Sequence, residues 1–113
     1  MKQVIAFIKP HQLSLVAMGL RDIQDLTGMS IGKGQGFGRG RARGAACRVV
    51  EDEMAYIPHV RIEVFCSDEW LEEVVACITT NAHTGLSGDG KIYITEVVEA
   101  VRISNGERGQ PAI

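Results

Sequence analysis

Two segments of this chain place glycines beside positive side chains in the pattern that suits an anion. The first runs Gly32-Lys33-Gly34-Gln35-Gly36-Phe37-Gly38-Arg39-Gly40-Arg41-Ala42-Arg43-Gly44 and holds six of the 13 glycines. Glycine lets backbone N–H groups approach a ligand, and guanidiniums beyond them supply charge, so the segment has the makings of an anion cradle. It is neither a Walker A loop, since no Gly-Lys-Ser or Gly-Lys-Thr closes it, nor a dinucleotide fingerprint opening a helix. A flexible solvated loop is an equally serviceable reading of these residues taken alone. The second segment is Thr84-Gly85-Leu86-Ser87-Gly88-Asp89-Gly90-Lys91, which also suits a plain turn. The combination favours function, because the two glycine loops end in Arg39 and Lys91 and can converge on one phosphate chain.

Other chemistry is thinner. His11, His59 and His83 are too scattered to read as a metal site, and no metal is expected. Cys47 lies among arginines that could lower its pKa, but an inert loop cysteine is the better reading. The acidic runs Glu72-Glu73 and Glu51-Asp52-Glu53 read as solvated, and no nucleophile has a placed base, so the chain is not expected to be an enzyme.

The elements that must position the glycine loops follow from periodicity. Gln3 to Ile8 reads as a strand stopped by Pro10, and Val16, Leu20 and Ile23 mark a helix from Leu13 closed at Thr27-Gly28 and weakened at Gly19. Met29 to Lys33 suits a second strand. Val60, Ile62, Val64 and Cys66 alternate with Arg61, Glu63 and Phe65 in a third that begins after Pro58. Ser67 or Asp68 caps a second helix with Leu71, Val74, Val75 and Ile78 as its apolar stripe, and Trp70 packs with that stripe. Lys91 to Thr95 and Val97 to Ile103 are strand-like. The order βαββαβ predicts the ferredoxin-like α+β architecture, with four antiparallel strands, two helices on one face and a long projecting loop between strands two and three. The other face is left open, so a closed symmetric oligomer is expected.

Composition narrows the classes. A chain of 113 residues is one domain over 1–113, and its formal charge of -2 offers no global attraction to nucleic acid. The odd, widely spaced Cys47, Cys66 and Cys77 argue against a disulfide framework and a zinc finger, and the short apolar start is neither a signal peptide nor a membrane span. The expected setting is the cytoplasm.

Gly36-Phe37-Gly38-Arg39, Pro58-x-Val60-x-Ile62-Glu63, Thr84-Gly85-x-x-Gly88-Asp89-Gly90-Lys91-Ile92-Tyr93 and Arg102-Ile103-x-x-Gly106-Glu107 with a terminal Ala112-Ile113 together resemble the P-II nitrogen-regulatory signal proteins. The resemblance implies a homotrimer that binds ATP or ADP, with AMP a further candidate, in clefts between subunits, and a long loop that engages a transporter, enzyme or regulator. Membrane contact would then be indirect, through a transporter, and any slow ATP hydrolysis secondary to binding. By position, Gly36, Phe37, Gly38 and Arg39 would hold phosphates with Gly88, Asp89, Gly90 and Lys91. Arg102 would reach them across the subunit boundary, and Ser30, Glu63 and Phe65 would meet adenine or ribose. The role of Mg²⁺ is left open.

The departures matter as much. Gly40 stands where the family carries a glutamine that joins Mg-ATP in binding 2-oxoglutarate, and His59 replaces the lysine that pairs with that acid. Asp52 occupies the position that relatives modify by uridylylation on tyrosine, and Ser104 replaces a second phosphate-facing arginine. The loop over 38–57 sets Arg41, Arg43 and Arg48 against Asp52 and its acidic neighbours, the expected partner contacts of a divergent paralogue. Two alternatives remain: a related sensor of another small ligand or metal, and an arginine-glycine nucleic-acid module. The latter repeat is very short and only Phe37 supplies stacking, so no nucleic acid is expected.

Overall fold

Alternation in the first strand sets the whole architecture. In β1, Lys2–Ile8, the residues Val4, Ala6 and Ile8 are buried while Gln3, Ile5 and Phe7 point to the other side, the two-residue period of a pleated strand. The computed structural model describes residues 1–38, 49–50, 53–54 and 56–113. Its remaining elements are α1 (Leu13–Arg21), β2 (Met29–Gly36), β3 (Val49–Val50), β4 (Glu53–Met54), β5 (Ile57–Cys66), α2 (Leu71–Ala82) and β6 (Lys91–Glu96).

Four strands form one antiparallel sheet in the order β2-β5-β1-β6, and β3 pairs with β4 in a separate two-stranded ribbon between β2 and β5. Each crossover skips one position: α1 carries the chain from β1 over β5 to β2, and α2 carries it from β5 over β1 to β6. That interleaving is the ferredoxin-like α+β fold anticipated from the element order.

Both helices cover the same face. Val16 and Leu20 of α1 and Val74 and Ile78 of α2 join Val4, Ala6, Ile62 and Val64 in one buried cluster. Burying each such aliphatic side chain contributes roughly 1.5–3 kcal/mol, so this layer dominates stability. Gly19, expected to weaken α1, is instead where the helices meet, since a Cβ there would lie 2.6 Å from the Cys77 sulfur. Burial raises the thiol pKa of both Cys66 and Cys77, which disfavours the thiolate. Cys47 lies outside the described residues.

Several boundaries differ from the sequence expectation, each because of a neighbouring strand. β2 continues through Gly34 to Gly36, segments expected to be loop, because β5 begins at Ile57 and supplies partners as far as Gly36↔Ile57. Pro58 is tolerated inside β5 because β1 ends opposite Val60, leaving Pro58 a neighbour only on the β2 side. Val97 to Ile103 does not extend the sheet. Beyond Glu96 the chain has passed the start of β1, and it folds back on itself through a Val101↔Arg108 bridge. Ser67 makes no capping bond, and a 3-10 turn, Asp68–Trp70, precedes α2. The Asp68 carboxylate turns instead to the α-amine of Met1 at 2.9 Å and to Lys2 at 3.1 Å.

The open face carries Gln3, Ile5, Phe7, Arg61, Glu63, Phe65 and Tyr93, none of them fully buried. The loops that could do chemistry lie at its edges.

Candidate functional site

The end of β2 and the loop before β6 come together as the fold requires. Both flank the C-terminal end of β1, and with the sheet floor they enclose a cavity of about 470 Å³. One wall is Gly36, Phe37 and Gly38; the other is Gly88, Asp89, Gly90 and Lys91; Phe7, His59 and Tyr93 form the floor. Gly38 offers open space where a Cβ would stand, and Gly88 and Gly90 sit at φ 83° and 104°, a conformation that L side chains rarely adopt. Backbone is therefore presented bare to the cavity, and Lys91 contributes the cation at its rim. This arrangement suits an anion approached by N–H groups.

The floor is an aromatic cluster. The rings of Phe7 and His59 meet edge to face with centroids 5.3 Å apart, Phe7 and Tyr93 do so at 6.1 Å, and the Arg61 guanidinium lies 6.0 Å from the Phe7 centroid. His59 is seated against the backbone of β2: a Cβ on Gly34 would come within 2.9 Å of its Nε2. The imidazole is thus held between Phe7 and the glycine stretch of the neighbouring strand.

Asp89 lines the cavity and also holds its own loop together. Its Oδ2 accepts the Thr84 backbone N–H at 2.9 Å, and its Oδ1 accepts the Thr84 hydroxyl and pairs with the Lys9 ammonium at 3.1 Å. His83 Nδ1 lies 3.3 Å from Oδ2. Burial acts to raise the Asp89 pKa, but hydrogen bonds from Thr84 and Lys9 outweigh it and hold the carboxyl well below the usual carboxylate range.

Ser30, Glu63 and Phe65 gather elsewhere. They line a second cavity of about 530 Å³ with the segment around Thr27–Met29, the stretch after β6 and the C-terminal Ala112 and Ile113. Glu63 accepts Gln3 at 3.1 Å and Arg61 at 3.0 Å on the same oxygen, Oε2. Ser30 pairs with Glu63 in register, while Gly36 lies six positions further along the same strand. The two cavities are therefore about 20 Å apart at the strand rise of roughly 3.3 Å per residue.

Arg102 lines neither cavity. Its guanidinium donates to Glu107 at 2.7 Å and to the Pro111 carbonyl at 2.6 Å, which ties it into the C-terminal hairpin. Arg39, Arg41, Arg43, Arg48 and Asp52, with Gly40, lie outside the described residues. Among the described residues no three His, Cys, Asp or Glu side chains cluster as a metal group, and no helix is long and apolar enough to cross a membrane.

Phe7, Lys9, Thr84 and Tyr93 belong to the site's surroundings although sequence reasoning assigned them no role. The parity of β1 was signal enough for Phe7, because Val4, Ala6 and Ile8 assign the odd residues to the opposite face. Nothing local marks Lys9, whose partner Asp89 is 80 positions away.

The chain is thus a four-stranded ferredoxin-like sheet with two glycine-rich segments meeting in a cavity at one end of its open face. The family model for nitrogen regulatory protein P-II matches residues 1–107. Nitrogen regulatory protein P-II of Azospirillum brasilense is 39% identical over 113 residues, all of both chains, and that of Haemophilus influenzae is 38% identical over the same span. Nitrogen regulatory protein GlnK of Escherichia coli is 34% identical, again over the full length of both. The chain belongs to the P-II family of nitrogen regulatory proteins.

Proposed function

We propose that this protein is a homotrimeric adenine-nucleotide sensor that regulates a target through the loop over 38–57. The observation that carries this reading is the split site. The phosphate-type cradle at Gly36–Gly38 and Gly88–Lys91 and the pocket of Ser30, Glu63 and Phe65 sit at opposite ends of β2, a separation one nucleotide would close only if a neighbouring copy supplied the other half. The open sheet face is the surface through which copies would associate. Gly36, Phe37, Gly38, Gly88, Gly90 and Lys91 would hold the phosphates of ATP or ADP, with Arg39 and Mg²⁺ as additional charge. Ser30, Glu63 and Phe65 would meet the nucleoside, and Arg102 would contribute after exchanging its Glu107 partner for phosphate.

The ligand would act by population shift: only contacts that differ between ATP and ADP or AMP can bias the loop. Arg41, Arg43, Arg48 and Asp52 would then meet the target protein, in nitrogen metabolism or transport. The role is regulatory rather than enzymatic. Calorimetric titration with ATP, ADP and AMP, with solution mass measured in parallel, tests the reading. The expected result is binding of at least one nucleotide by a trimer; no detectable binding of any of the three would sink it.

A further inference from the structure

The glycine loop over 84–90 is held to the end of β1 by two independent contacts. Gly90 packs on the strand itself: a Cβ there would lie 1.7 Å from the Phe7 carbonyl oxygen. Two residues further along, the Lys9 ammonium reaches back over the loop, donating to the Thr84 hydroxyl at 3.0 Å and pairing with Asp89 at 3.1 Å. Thr84 closes the ring by donating its N–H and its hydroxyl to Asp89 and by accepting the Leu86 N–H at 3.2 Å. Lys9 and Asp89 are about one-fifth and one-quarter exposed, so solvent screens the pair only partly.

From this geometry we infer that Lys9 and Asp89 are positioning residues, a charge clamp that shapes the glycine loop and cancels a carboxylate at the edge of an anion site. Asp89 lines the cavity, yet its oxygens are engaged by Thr84 and Lys9, with His83 close by. An unneutralised carboxylate there would repel phosphate. Lys9 removes that penalty without entering the cavity, and the Thr84 bonds give the loop the bend that exposes the backbone of Gly88 and Gly90. The inference rests on the proposed nucleotide reading for its ligand, but the clamp itself does not.

Charge cancellation makes a prediction of distinctive sign. Lys9→Met leaves Asp89 unopposed and should weaken ATP binding about tenfold, because a like charge now faces the ligand. Adding Asp89→Asn removes that charge while the introduced amide oxygen still accepts the Thr84 N–H, so K9M/D89N should return to within about threefold of wild type. Thermal melting of each variant keeps folding separate from binding, and Lys9→Gln serves if K9M does not fold. A double variant as weak as K9M or weaker would overturn the inference, since a carboxylate touching the ligand or its metal gives that result. So would K9M binding like wild type. If wild type binds no nucleotide, the functional proposal fails and the clamp is judged by amide exchange alone. K9M should then speed exchange of the Thr84 and Leu86 amides, which donate within the clamp, about tenfold; unchanged exchange in K9M would overturn the clamp.

Discussion

Replacing glycines one at a time by alanine separates the roles that this residue plays here. At Gly90 an added Cβ would lie 1.7 Å from the Phe7 carbonyl oxygen and 2.8 Å from its carbon, and φ is 104°. The left-handed backbone alone costs an alanine about 1–3 kcal/mol, and the obstructing atoms are backbone rather than a yielding side chain, so a total of about 3 kcal/mol is expected. For a chain of this size that corresponds to a fall of roughly 10 °C or more in Tm. At Gly32 nothing lies within 4 Å and no unusual φ is needed, so G32A should leave Tm unchanged or raise it slightly. Gly34 falls between: the obstacle at 2.9 Å is the His59 ring, a side chain able to rotate away from Phe7. Differential scanning calorimetry at fixed protein concentration orders the three variants, and nucleotide titration shows whether G90A also spoils the cradle. G90A melting within about 2 °C of wild type would refute the argument that the loop is seated on β1.

Acid should destabilise the protein through the same loop. The folded pKa of Asp89 is depressed, so its contribution is fully present above the unfolded value near 3.8 and is lost as pH falls through the lower folded value. Asp68, held down by bonds to the α-amine and Lys2, acts in the same direction. Denaturant midpoints measured from pH 5 to pH 2 should therefore fall, with a shallower fall in D89N; parallel curves would contradict the Asp89 assignment. A second expectation concerns effectors: with Mg-ATP present, 2-oxoglutarate should add no melting shift, because His59 lies against Phe7 and Gly34 in place of a lysine, and Gly40 in place of a glutamine. A clear increment would show that this reading of His59 and Gly40 is wrong.

Local pattern was sufficient for the scaffold. Alternation in Val4-Ala6-Ile8 and Val60-Ile62-Val64, and helical spacing in Val16-Leu20 and Val74-Ile78, each depend on neighbours within one turn or two strand positions, so the sequence alone determined the type and order of these four elements and their buried faces. The βαββαβ order then left few ways to assemble them. The sequence also marked the two glycine-rich segments, and the structure brings Gly36–Gly38 and Gly88–Lys91 to one cavity. Tertiary structure decided what no local pattern carries. β2 runs to Gly36 because β5 extends to meet it, and the stretch after Glu96 leaves the sheet because β1 has ended. Asp89 turns to Lys9 across 80 residues, Arg102 to Glu107 and Pro111, and the residues of one expected site divide between two cavities. In each case the deciding partner is distant in sequence, and hydrogen bonds, charge neutralisation and strand pairing act on distance in space.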